Sequence, residues 1–287
     1  MTRSERAPAK INLGLEILGR RPDGYHEIRT VLCTISFADL LTFEDADRDE
    51  IIWEMFEFEI PREVDIVLHT LQSMRDAGAD IPPQRVTIDK SIPPAAGLGG
   101  GSSDAAAAIR AFDGELRAAG IDPTTLAGSL GSDVPFFLNG PAALASGRGE
   151  ILTPLPSPPE GWVVVALPRL DIPDKTRTMY GAVDSSRWSD GTRVDAIARA
   201  LPELPTDTPF NVFEQVLLNR FPELVAVRDG MNATGAPFVA VTGAGPAFYT
   251  LVDSQESANE ISMETASRVG THGFLTFVAP IGETADD

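Results

Sequence analysis

From Lys10 to Leu18 the chain alternates, with Ile11, Leu13, Leu15 and Ile17 on one side and Asn12, Gly14 and Glu16 on the other. A period of two predicts a half-buried strand whose apolar set faces a core. The run stops at Arg20-Arg21-Pro22-Asp23-Gly24, where proline and glycine suit a tight turn, and Tyr25 opens a second extended segment through Phe37. Together they predict a hairpin. Val64, Val67, Leu68, Leu71 and Met74 recur at helical spacing, so a helix is expected over 64–74. Val86 and Ile88 mark a short strand that leads into Pro93-Pro94 and a glycine-rich loop, with a helix expected from about Ser103.

Four of the nine residues from Thr153 to Gly161 are proline, which suits neither a helix nor a central strand. A domain boundary is therefore expected there, dividing the chain into 1–155 and 160–287. Beyond it, strand-like runs (162–167, 238–242, 248–252, 273–278) alternate with helical ones (193–201, 211–220, 257–268). That alternation predicts a second α/β or α+β domain.

Composition narrows the class. The 287 residues are 43% apolar, enough for a core and against disorder. A formal charge of −19 excludes a generic nucleic-acid binder, which needs clustered cations to neutralise phosphates. The acidity is local: residues 1–30 carry net +2 and residues 31–80 net −10. Phe43 to Glu63 accordingly predicts a solvated, acidic edge strand or loop. Cys33 is the only cysteine, and His26, His69 and His272 are scattered, so neither an internal disulfide nor paired metal-ligand spacing is available. The N-terminus lacks the apolar core of a signal peptide, and no run approaches a membrane span. A soluble, cytoplasmic protein without nucleic-acid or membrane partners is expected.

Lysine usage adds a sharper cue. Against twenty arginines there are three lysines, Lys10, Lys90 and Lys175. Where arginine is the default cation, a retained lysine points to a need for a compact ammonium, or else to chance.

The segment Pro93-Pro94-Ala95-Ala96-Gly97-Leu98-Gly99-Gly100-Gly101-Ser102-Ser103-Asp104 runs into an alanine-rich helix. Glycines let backbone amides approach a ligand, and a helix start aims unpaired amides and a positive dipole end at the same spot. This is an anion cradle, with phosphate its natural occupant. No lysine follows the glycines as in a P-loop, and Ser102 stands where the third glycine of G-x-G-x-x-G belongs. The competing reading is a flexible linker capped by Ser103 or Asp104. Further on, Gly131-Ser132-Asp133-Val134-Pro135-Phe136-Phe137 places a carboxylate between a turn and an aromatic pair, where Asp133 either caps the turn or works as a base.

Ala7-Pro8-Ala9-Lys10-Ile11-Asn12-Leu13, the loop Pro94 to Asp104, Ser132 to Phe137 and a late Thr242-Gly243-Ala244-Gly245 together resemble the GHMP kinase superfamily along nearly the whole chain. Gly19-Arg20-Arg21-Pro22-Asp23-Gly24-Tyr25-His26-Glu27 is similar to the branch that phosphorylates the 2-hydroxyl of a cytidine diphosphate-linked methylerythritol in the non-mevalonate isoprenoid pathway. The resemblance implies a two-domain α+β (α/β) fold. In it an N-terminal ATP-binding domain and a C-terminal ferredoxin-like substrate domain share an active site in the cleft between them.

It further implies that Asp133 is the general base and that Lys10 polarises the reacting hydroxyl beside it. The nucleotide falls to Pro94, Gly97, Leu98, Gly99, Gly100, Gly101, Ser102 and Ser103, with Lys90 either facing it or lying on the surface. Mg²⁺ is expected with ATP. Asn12 is placed near the polyol, Tyr25 and His26 on the cytosine, and Tyr180 either closes the aromatic sandwich or packs its helix. Two positions depart from the usual pattern: Asp65-Ile66 with His69 stand where the family has Asn-Leu and a basic residue, and Ala244 stands where it commonly has Ser or Thr. The alternatives are another GHMP kinase, for homoserine, mevalonate or a sugar, and a non-catalytic nucleotide-binding protein of this fold. A monomer or homodimer is expected.

Overall fold

The computed structural model describes residues 2–54, 65–156, 158–203, 207, 209–270 and 274–282. The predicted hairpin is its longest feature: β1 (Thr2–Arg20) and β2 (His26–Asp45) pair antiparallel, with register shifts between Pro8 and Ala9, Asn12 and Leu15, and Ile17 and Gly19. β2 runs eight residues past the expected Phe37, because its second half pairs with β4 (Gln84–Asp89) and its first half with β5 (Ala142–Ser146). β3 (Glu50–Glu54) forms the acidic edge as expected, parallel to β4. β6 (Ile151–Pro154) closes the other side of a six-stranded sheet. Phe43, assigned above to the solvated stretch, is instead fully buried and meets Phe112 edge-on at 5.6 Å. Residues 55–63 of that stretch lie outside the described residues, as do Val64, Ser157 and Gly273.

One face of this sheet carries α1 (Ile66–Asp76) and α2 (Gly100–Ala111), followed by the short helices α3 (Asp113–Ala118), α4 (Pro123–Leu130) and α5 (Phe136–Asn139). Ala105 to Ala108 are all buried, so small side chains let α2 lie close to the strands and to α1. α2 starts three residues earlier than expected. Gly100 and Gly101 take helical backbone, and a Cβ on Gly100 would come within 2.9 Å of Ile92 Cγ2, so tight packing outweighs the poor helix propensity of glycine.

The second sheet begins with β7 (Trp162–Pro168). After α6 (Lys175–Gly181), α7 (Thr192–Ala200), α8 (Val212–Arg220) and α9 (Leu224–Asn232) come β8 (Ala240–Val241), β9 (Phe248–Val252), α10 (Gln255–Val269) and β10 (Phe274–Pro280). Its order β10-β7-β9-β8, all antiparallel with helices in both crossovers, is the split β-α-β-β-α-β arrangement of ferredoxin-like domains. Ile11, Leu13 and Cys33 share a core with Val163, Val165 and Tyr249, so the two sheets are joined through the β1–β2 hairpin.

That joining corrects the half-buried reading of β1. Its polar face is covered too: Asn12 is 4% exposed and Glu16 0%. Glu16 Oε2 accepts the Val194 amide at 2.9 Å, capping the first turn of α7, whose own N-cap, Gly191, has no side chain to offer.

Candidate active site

The glycine-rich loop is held in place by a second glycine turn. A Cβ on Gly97 would lie 2.5 Å from the Thr242 carbonyl oxygen and 2.9 Å from that of Gly245, and Gly97 has φ +91°. Only glycine allows both the conformation and the approach. The Ala247 amide donates to Ala96 O at 3.3 Å, and Asn211 Nδ2 donates to the carbonyls of Val241 (2.7 Å) and Gly243 (3.0 Å), fixing the late turn from behind. Ala95 has φ +56°, an uncommon conformation for a residue with a side chain. Gly99, left-handed, is the N-cap of α2 and gives it no side-chain cap, so the first-turn amides of α2 remain available to a ligand.

Lys10 projects from β1 into this junction. It is 3% exposed, and its ammonium donates to Asn12 Oδ1 at 2.6 Å and to Gly97 O at 2.7 Å. Its amide donates to Leu98 O at 2.9 Å, which stitches β1 to the loop. Asn12 is a hub: Oδ1 also accepts the Gly243 amide at 2.9 Å, Nδ2 donates to Thr30 Oγ1 at 2.8 Å, and its own amide donates to Thr242 Oγ1 at 3.1 Å. The Thr242 hydroxyl thus ties the late glycine turn to β1 even though Ala244 follows.

Burial pushes the Lys10 ammonium down from its usual range, and the charge of Asp133 opposes that loss. Asp133 sits just before α5, its Oδ1 3.8 Å from where a Gly149 Cβ would lie. Its charge is also felt by Lys175 and by the phenol of Tyr180, which burial and Asp133 together push up. The charge of one carboxylate is therefore felt by Lys10, Lys175 and Tyr180.

The remaining expected residues divide. His26 and Tyr180 come together, ring centroids 5.4 Å apart, and Tyr180 packs edge-on against Phe213 at 4.8 Å. Burial and then Arg20 hold the His26 imidazole below its usual range. Tyr25 is 56% exposed, with the Arg148 guanidinium 4.7 Å over its ring. Pro94 is exposed, Leu98 is a core residue that offers only its backbone, and Ser102 is more open than the fully buried Ser103, whose hydroxyl has no partner among the described residues.

Lys90 is turned inward: it is 5% exposed, contacts Asp39, and donates to Asp104 Oδ2 at 2.7 Å. Its Nζ lies 3.2 Å from a Gly100 Cβ position, so it braces the start of α2 from beneath. Asp39 Oδ1 takes the amides of Ser91 (2.6 Å) and Ile92 (2.7 Å), which anchors the entry to the loop. Asp65 caps α1, accepting from the amides of Val67 (2.9 Å) and Leu68 (3.1 Å).

Sequence reasoning did not assign Lys175, Asp39, Asp104, Thr242 or Asn211 to this network. For Lys175 a signal existed in the rarity of lysine. All three lysines of the chain prove to be gathered around the one loop.

Comparison with known proteins shows the family. The GHMP kinases N terminal domain matches residues 65–140 and the GHMP kinases C terminal domain residues 190–264. The 4-diphosphocytidyl-2-C-methyl-D-erythritol kinase of Dehalococcoides mccartyi is 35% identical over 261 residues, covering 89% of this chain and 91% of its own. The enzyme of that name from Geobacillus kaustophilus is 37% identical over 264 residues, covering 88% and 89%. A crystal structure of 4-(cytidine 5'-diphospho)-2C-methyl-D-erythritol kinase superposes with a TM-score of 0.82 at 35% identity, covering 99% of this chain and 100% of that one. A homoserine kinase from Cytophaga hutchinsonii, at 16% identity and TM-score 0.71 over 99% and 96%, shares the fold. The chain belongs to the GHMP kinases and, within them, to the 4-diphosphocytidyl-2-C-methyl-D-erythritol kinase family.

Proposed function

We propose that this chain transfers the γ-phosphoryl group of ATP to the 2-hydroxyl of 4-diphosphocytidyl-2-C-methyl-D-erythritol, with Lys10 and Asp133 acting on that hydroxyl. The observation that carries the assignment of roles is the buried Lys10 ammonium, fixed on Gly97 O at the entrance to α2 and within the electrostatic reach of Asp133. Asp133 accepts the hydroxyl proton, the freed oxygen bonds to the γ-phosphorus, and the bond to the β,γ-bridging oxygen breaks to release ADP. Phosphoryl transfer asks little covalent work of a protein, so positioning, charge neutralisation and one proton acceptor suffice.

The nucleotide's phosphates are assigned to the amides of residues 97–102, where Gly99 gives α2 no side-chain cap and leaves its first-turn amides for a ligand. Among the described residues no group of three acidic, histidine or cysteine side chains is arranged to hold a metal. Mg²⁺ needs only one or two carboxylates when substrate phosphates supply other ligands, and Asp133 and the Ser102 hydroxyl are the side chains that would hold it. When bound it would neutralise β and γ oxygens. The cytosine is assigned to Tyr25, His26 and Tyr180, of which the last two already adjoin. Residues 1–155 and 160–287 are assigned as nucleotide and substrate domains, with the six-stranded sheet ending at Pro154 and the second sheet starting at Trp162.

The test is a substrate panel with radiolabelled ATP. Phosphorylation of the cytidine diphosphate substrate, with homoserine and mevalonate left untouched, is the expected outcome. Turnover of either of those in its place overturns the assignment.

A further inference from the structure

Lys175 has no place in the chemistry described so far, yet it reaches the same junction from the other half of the chain. Its ammonium donates to Ala95 O at 2.7 Å and to Gly245 O at 2.6 Å, one carbonyl from each of the two glycine turns that enclose Lys10. Among the described residues it forms no ion pair, whereas Lys90 is matched by two carboxylates. An ammonium has three protons to donate. Lys10 and Lys175 each spend two on fixed protein acceptors, which leaves one each for a ligand.

The electrostatics describe the ligand. Two ammoniums and the amide end of α2 converge where Asp133 is the one carboxylate whose charge both lysines feel. In a chain of net charge −19 this is a local excess of positive charge, and it needs an anion. The consequence for Lys175 is severe: burial first, and then repulsion from Lys10, push its ammonium down to about 7 against the pull of Asp133. A negative group arriving beside this half-buried ammonium would add to the pull of Asp133 and favour the charged form further.

We propose that Lys175 is a further catalytic residue, whose ammonium contacts the oxygens of the γ-phosphoryl group as it passes from ATP to the acceptor. This rests on the kinase reading of the site and deepens it. Lys10 serves the attacking hydroxyl, and Lys175 serves the group being transferred, where charge spreads over three equatorial oxygens. No proton leaves Lys175 in the step; it donates a hydrogen bond and its charge, then passes to the product phosphate until release.

A residue bridging two loops can also be a mere buckle, and Lys175→Gln separates the two roles. Glutamine keeps donors for the Ala95 and Gly245 carbonyls and removes the charge. The expected result is a variant that melts with the wild type and binds ADP as well, but whose kcat falls by about 10²–10³-fold, the usual loss for one preorganised donor at a developing charge. A second measurement needs no variant: calorimetry at pH 8, with a non-hydrolysable ATP analogue in two buffers of different ionisation enthalpy. Binding should draw a proton onto the enzyme, and Lys175→Gln should abolish that uptake. Wild-type kcat in Lys175→Gln overturns the proposal, as does a rise confined to KM for the cytidine substrate, or no proton uptake by the wild type. If instead the wild type fails to phosphorylate the cytidine substrate at all, the kinase reading falls, and the calorimetry still decides whether Lys175 meets the triphosphate.

Discussion

Replacing Gly97 by alanine should damage the site more than its single added carbon suggests. At φ +91° an L-residue is strained, at a cost of about 1–2 kcal/mol. The new Cβ would also meet two backbone oxygens, of Thr242 at 2.5 Å and Gly245 at 2.9 Å, and neither can rotate away as a side-chain tip would. Forcing a carbon into a packed junction adds about 1–3 kcal/mol, for a total near 2–5 kcal/mol. The functional effect should exceed the loss of stability, because the turns that must separate carry the Gly97 and Gly245 carbonyls holding Lys10 and Lys175. Urea unfolding of Gly97→Ala beside Gly101→Ala makes the comparison. Gly101 has only Ile66 Cγ2 near its Cβ position, at 3.8 Å, so its substitution should be neutral or slightly stabilising. Equal midpoints for Gly97→Ala and the wild type, with unchanged turnover, would refute the reasoning.

Three further outcomes follow from the site. Tyr25→Ala should weaken the cytidine substrate by about 1–3 kcal/mol while sparing ATP, if its ring stacks on a base as in single-strand recognition; a matching loss of ATP affinity in a binding titration would place Tyr25 at the other ligand. Lys90→Met leaves Asp39 and Asp104 buried without their cation and should cost about 3–5 kcal/mol in denaturant unfolding, and a loss below 1 kcal/mol would show that the pair is not held by that ammonium. Asp104 is pushed up to about 8, mostly by burial and further by Asp39, against the pull of Lys90. The folded chain then retains a proton that the unfolded chain releases near pH 4, so this contribution to stability is complete below that pH and is lost as pH rises through about 8. Asp104→Asn should flatten that decline in urea midpoints between pH 5 and 9; parallel profiles for the two proteins would contradict it.

The loop and the lysine that meets it were legible because their signals are written locally: glycines ahead of a helix, and a rare lysine inside a short motif. The second sheet was legible in outline from its strand and helix runs. What failed to show has physical reasons. A period of two says which residues of β1 share a face, but not that the second half of the chain covers both faces, so Asn12 and Glu16 read as outward although each is buried and bonded. The start of α2 read late because propensity places glycine outside helices, whereas contact with Ile92 decides at Gly100. Lys90 stands near its expected place, but Asp39, far along the chain, determines what it does, while Asp65, a departure from the family pattern, is spent on the local amides of Val67 and Leu68. Lys175 stands 80 residues from Ala95 and 70 from Gly245, a separation that no local pattern encodes.

The central claim is that Lys10 and Asp133 act together on one hydroxyl, and a double-mutant cycle on kcat tests it most directly. Lys10→Met and Asp133→Asn should each lower turnover by about 10²–10⁴-fold, with ATP still bound, and the double variant should be little worse than the poorer single, as for residues that work as a unit. Losses that multiply in the double variant, or a single variant that turns over like the wild type, would contradict the account.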